Sequence, residues 1–249
     1  MDHWLSSSAS GGIRFETTQW SLVCRLGAED EENRAAFESL YRGYSHPVYV
    51  FLRRRGYSPH DAQDLTQDFF LHLLQKNTPS KADPLRGKFR TFLLTALGFF
   101  LLHSHEKATT QKRGGDATMI FLDAETAETR YQLTDPGQTA EQIFDARWAA
   151  TLIQTTMDRL KAAMEEAGKG DLFKNIRSFL IDTPETSYTE MARASGLTVA
   201  GVKTAIHRLR LRYRDLLRAE IARTVASPAD FDDEVRALRA SLLSGYLRA

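Results

Sequence analysis

Residues 187–213 read SYTEMARASGLTVAGVKTAIHRLRLRY, and few local structures accommodate that pattern. Ser187 and Glu190 stand at the Ser-x-x-Glu spacing of a capping box, where hydroxyl and carboxylate each accept an orphan backbone N–H at a helix start. Ser195, Gly196 and Leu197 supply a turn, with Gly196 able to take the positive φ that side chains resist. Thr198 is placed to cap a second helix. A short helix, a glycine turn and a longer basic helix make the arrangement that lays the second helix in the major groove of DNA.

The second helix divides into two faces. Val202, Ile206, Leu209, Tyr213 and Leu216 recur at helical spacing and predict an inner apolar face. Thr198, Ala200, Lys203, Thr204, His207 and Arg208 fall on other sides, with Arg210, Arg212, Arg214 and Arg218 beyond them. A recognition helix needs this division, because one face holds it to its own domain and the other carries donors to base edges and phosphates. An amphipathic surface helix with a solvated basic face would show the same periodicity. The caps, the glycine turn and the small residues beside basic ones favour DNA binding.

A net charge of +1 hides an uneven distribution. The arginine-rich stretch lies in the last third of the chain. Residues 116–145 instead hold Asp116, Asp123, Glu125, Glu128, Asp135, Glu141 and Asp145 against Arg130 alone. This asymmetry suggests a nucleic-acid surface and a separate acidic segment. Cys24 is the single cysteine, which excludes an internal disulfide and a multi-cysteine zinc site. No apolar run reaches the roughly 20 residues that span a bilayer, so no membrane insertion is expected. The serine- and glycine-rich start lacks the features of a signal peptide, and the expected location is cytoplasmic. No Gly-rich phosphate loop, nucleophile elbow or metal constellation stands out, so neither an enzyme nor a bound cofactor or metal is expected.

Elsewhere the chain keeps helical spacing. Phe37, Leu40, Tyr41, Tyr44, Val48 and Phe51 form one run, ended by Gly56. Ser58, Pro59 and Asp61 then open a helix carrying Leu65, Phe69 and Leu73, with serine as cap and proline in the first turn. A polar loop over residues 76–88 precedes the apolar run Phe89, Phe92, Leu93, Ala96, Leu97, Phe100 and Leu101. The acidic stretch shows no steady period and reads as a linker. Helical pattern resumes at Phe144 through Trp148, Leu152, Met157, Leu160 and Met164, then again from Leu172 to Leu180. Ser227 and Pro228 precede a last helix with Phe231, Val235, Leu238 and Leu242 on one face.

The expected fold is all-α: two helical domains joined by an acidic linker, plus a short C-terminal helix. The expected division is a tail (1–28), a first domain (29–113), a linker (114–143), a second domain (144–226) and a C-terminal extension (227–249).

The segments FESLY (37–41), DAQDLTQDFF (61–70) and FRTFL (89–93) stand in the order and spacing of the first domain of bacterial RNA polymerase sigma factors. With the pattern from Tyr188 to Arg210, the chain resembles the extracytoplasmic-function (ECF) group of the sigma-70 family, over roughly residues 30–112 and 146–223. That resemblance implies a non-catalytic subunit that binds core RNA polymerase, directs it to promoter DNA and helps open the duplex. It leaves room for an anti-sigma factor or another regulator as a further partner.

By the same resemblance Asp61, Asp64, Leu65, Gln67, Asp68 and Phe69 match the segment that docks on polymerase. Lys88, Arg90 and Thr91 are the candidates for contact with the −10 element, with His103, Lys107, Lys112 and Arg113 along upstream DNA. Thr198, Ala200, Lys203, Thr204, His207, Arg208, Arg210 and Arg212 are the candidates for reading the −35 element. The chain departs from the family where an asparagine is common near Phe99 and an arginine cluster follows; here the chain reads His103, Ser104, His105 and Glu106. A stand-alone helix-turn-helix regulator is the competing reading. It leaves residues 61–70 without a use and predicts a symmetric dimer on a palindromic site.

Overall fold

A computed structural model describes residues 31–75, 88–107, 127–129, 131, 137–180 and 187–246. Among the described residues the chain is helical, with no strand beyond one isolated antiparallel bridge between Lys88 and Val225. The all-α expectation is met. The helices are α1 (Glu31–Arg54), α2 (Pro59–Gln75), α3 (Phe89–Lys107), α4 (Ala140–Glu166), α5 (Gly170–Ile176), α6 (Tyr188–Ser195), α7 (Val199–Ala222) and α8 (Phe231–Tyr246). Single 3₁₀ turns, Arg177–Leu180 and Pro228–Asp230, follow α5 and precede α8.

The described residues group into two compact units. One takes those between 31 and 151 together with 221–246. The other takes 152–180 and 187–220. By contact, therefore, residues 127–129 and 131, the first turns of α4 and the C-terminal helix group with α1–α3.

The first unit is built around aromatic side chains. Leu40, Tyr44, Val48, Phe51, Phe69, Phe70, Leu73, Phe89, Leu93 and Leu97 are buried. Tyr41 meets Phe70 edge-on at 5.0 Å between ring centroids, and Tyr44 meets Phe89 at 5.3 Å, separations at which edge-to-face pairs add to area burial. Between α1 and α2, Gly56 sits at φ +96°. Ser58 Oγ then accepts the Asp61 N–H at 3.1 Å and donates to the Asp61 carboxylate at 2.7 Å. The cap read from Ser58 is in place.

The linker reading needs a correction. Residues 127–129 and 131 are helical, with Ala127 buried and Glu128 tied to α1. Helix α4 also starts earlier than its apolar pattern shows. Thr139 Oγ1 accepts the Gln142 N–H at 3.2 Å, and Gln142 Oε1 accepts the Thr139 N–H at 2.9 Å. These reciprocal bonds satisfy two orphan donors and fix the start at Ala140.

The second unit packs Leu160, Met164, Phe173, Ile176, Phe179, Met191, Ala192, Val202, Ile206, Leu209, Tyr213 and Leu217 into one core. The inner face of α7 follows the expected spacing except at its end, where Leu217 is buried and Leu216 only half-buried. Burial pushes the Tyr213 phenol up to about 12, so it stays a neutral hydroxyl.

Candidate nucleic-acid interface

The turn between α6 and α7 forms as the sequence dictates. Ser187 Oγ accepts the Glu190 N–H at 3.2 Å, and Glu190 accepts the Ser187 N–H at 3.0 Å. Gly196 closes α6 at φ +64°, with the Leu197 N–H reaching Ala192 O at 3.0 Å. A side chain at this φ would be strained. Thr198 Oγ1 then accepts the Gly201 N–H at 3.0 Å and starts α7.

Every −35 candidate lies on the exposed side of α7: Thr198, Ala200, Lys203, Thr204, His207, Arg208, Arg210 and Arg212. They are not equally available. Thr198 is the cap, and the Thr204 hydroxyl donates to Ala200 O at 3.0 Å. Arg210 donates through Nε and Nη2 to Phe179 O, at 3.1 and 2.9 Å. Lys203 Nζ lies 5.4 Å over the Tyr188 ring, which stacks at 5.4 Å on Phe179. These contacts run from α7 to the segment before it and fix the helix within its unit. Tyr188 was legible only as part of α6; its use as a platform for a lysine across the turn was not.

The −10 candidates separate more sharply. Arg90 was expected at DNA, but it is buried. Its guanidinium pairs with Glu234 (Nε–Oε1 3.1 Å) and with Asp145, and lies 4.9 Å over the Trp148 ring. Burial alone would lower its pKa, but the carboxylates of Glu234 and Asp145 outweigh that and hold it above the ordinary value. Lys88 is half-buried, with Nζ 3.4 Å from the same Glu234. Thr91 and His103 are exposed, the latter with Nδ1 2.7 Å from Phe99 O. The Lys107 side chain, Lys112 and Arg113 lie outside the described residues. Phe99 and Leu102 project large apolar surface from α3, at 59% and 65% exposure. Leu102 also lines an apolar cleft of about 590 Å³ with Phe51, Tyr57, Leu94 and Leu101.

On α2, Asp61, Asp64 and Asp68 form one exposed stripe at i, i+3 and i+7, with half-buried Leu65 at its edge. Asp64 pairs with His60 at 3.1 Å. Burial, and then the neighbouring Asp64, raise the Asp68 pKa. Gln67 lies on another flank, half-buried. Phe69 has no exposed surface, so it belongs to the core beneath the stripe and not to a docking face.

The acidic segment commits several of its members: Asp145 pairs with Arg90, Glu141 with Arg55 at 3.1 Å, and Glu128 with α1. Glu128 takes both Arg53 Nε and Nη2 at 2.8 Å and the Tyr49 hydroxyl at 2.6 Å. The Arg53 bonds lower the Glu128 pKa against the opposing effect of burial, and burial raises that of Tyr49. Arg53 also lies 4.9 Å over the Tyr131 ring. A bidentate guanidinium with an aromatic face fixes orientation as well as distance.

No helix among the described residues is long and apolar enough to cross a membrane. Residues 40–108 match the family model Sigma-70 region 2. The match covers less than half of the chain and supports a sigma-70-type region 2 over those residues. No curated protein and no solved structure matches the chain.

Proposed function

We propose that the chain is a two-domain sigma factor of the ECF kind, working in the cytoplasm as the promoter-reading subunit of RNA polymerase. The observation that carries this reading is the Sigma-70 region 2 match over residues 40–108. The double-capped turn ahead of the exposed basic face of α7 supports a second DNA contact.

In this reading the roles follow from surface chemistry. The carboxylates of Asp61, Asp64 and Asp68 set register on polymerase, and Leu65 adds apolar contact area. Lys203, His207, Arg208 and Arg212 face the −35 element, where a guanidinium can take a guanine edge in bidentate fashion. Thr91 and His103 lie on the exposed side of α3, beside the outward-facing Phe99, which suits stacking on an unpaired base. An anti-sigma factor or another regulator would act on one of these surfaces.

Reconstitution of the full chain with core polymerase, followed by transcription from its genomic promoters, tests the proposal. The expected result is a stable holoenzyme and promoter-dependent transcripts. Tight binding to a palindromic duplex by a chain that never associates with core polymerase would replace it with the stand-alone regulator.

A further inference from the structure

The C-terminal helix α8 lies outside the matched residues 40–108, yet it buries a full carboxylate against the start of α3. Glu234 has no exposed surface. It accepts from Arg90 Nε at 3.1 Å and lies 3.4 Å from Lys88 Nζ. The segment leading into α8 holds the same place by its backbone. Lys88 pairs with Val225, and the Phe89 N–H donates to Thr224 O at 3.1 Å. Phe231 and Leu238 anchor α8 by burial. The entry to α3 is thus gripped twice, through its main chain and through its basic side chains.

Such a site is not built for net stability. Desolvation of both charges offsets most of their attraction, and a well-packed apolar contact would serve as well. What the charges add is direction. A guanidinium held by Glu234 and Asp145 over the Trp148 face has one satisfied orientation, whereas apolar surfaces tolerate slip.

We propose that α8 is a positioning element for the −10 contacts: the Arg90–Glu234 pair pins the first turn of α3 so that the exposed Thr91 meets promoter DNA in one geometry. Arg90 is then a positioning residue that never touches the nucleic acid. The inference rests on the sigma-factor reading given above.

The test uses the full-length chain in two settings. Without polymerase, Glu234→Gln keeps the side-chain shape and removes its charge. Amide hydrogen exchange over residues 88–95 is expected to quicken at least tenfold, with α2 and α6 unchanged. With core polymerase, open-complex formation on a duplex promoter is expected to fall at least tenfold and to recover to within about twofold on a template already unpaired across the −10 element. Arg90→Lys retains the charge without the planar fork, and should show the same duplex-specific defect with a smaller loss of stability than Arg90→Ala.

Unchanged exchange at 88–95, or an equal loss on duplex and unpaired templates, would overturn the proposal and leave α8 a plain stabilising helix. A wild-type chain that fails to bind core polymerase overturns the sigma-factor reading, and the promoter role of the pin falls with it even where the exchange result holds.

Discussion

Arg208 on α7 and Arg90 on α3 are the same residue type on two long helices, each in a basic stretch expected to meet DNA. Arg208 is exposed and forms no salt bridge among the described residues. Arg90 is enclosed by Glu234, Asp145 and the Trp148 ring. The difference does not lie in either helix. It lies in whether distant acids fold back onto the basic residue. A positive side chain is a phosphate ligand only where the rest of the chain leaves it one.

The contrast breaks most easily at Arg90. Arg90→Ala leaves Glu234 buried with only Lys88 beside it, and removal of one partner from a buried pair costs about 3–5 kcal/mol. Urea unfolding should show that loss, while affinity for isolated −35 duplex stays unchanged. Arg208→Ala should do the reverse. Affinity for the −35 duplex falls by about 1–3 kcal/mol if the guanidinium takes a base edge, with stability within about 0.5 kcal/mol of the parent. Equal effects of the two substitutions on stability would erase the distinction.

Glu128 occupies the middle ground, with its side chain 20% exposed and that of Arg53 17%. Glu128→Gln should cost about 1–2 kcal/mol at neutral pH, because hydrogen bonds to a charged group are weakened but not orphaned. The Glu128 pKa lies below its ordinary 4.5. Its stabilisation is therefore complete above that pH and fades as pH falls through the depressed value. Denaturation midpoints of the two proteins should converge in acid.

The smallest effect is expected at Asp68, whose pKa is raised by burial and by Asp64. A carboxyl with a raised folded pKa is ionised at a cost. Its destabilising contribution is absent below the unfolded pKa and complete above the folded one. Asp68→Asn should leave the melting temperature unchanged or slightly higher at pH 7, yet weaken binding to core polymerase. A loss of stability there would mark Asp68 as structural, like Arg90.

The parts legible in the sequence are those encoded locally. Ser187 with Glu190, Gly196, Thr198, and Ser58 with Asp61 act within three or four residues of one another, and each forms as read. The apolar face of α7 is likewise set by spacing. Thr139 and Gln142 are equally local and were hidden by a less familiar residue pair. The Arg90–Glu234 contact joins residues separated by 144 positions, and no periodicity announces it. Glu234 even falls between Phe231 and Val235, where the apolar face of α8 gives no hint of a buried charge. Phe69 was misplaced for a related reason: helical spacing gives a face, but not the depth of the layer covering it.

The grip of Arg210 on Phe179 O and the pairing of Arg214 with Asp215 have a consequence for ionic strength. Each phosphate neutralised by a DNA-binding protein releases condensed cations and steepens the fall of log K with log salt by about 0.9. Arginines engaged inside their own unit are less available to phosphate and contribute less to that release. Duplex binding by α7 should therefore weaken with added salt less steeply than its count of basic residues implies, in step with Lys203, Arg208 and Arg212. More of its selectivity would then rest on base edges than on bulk charge.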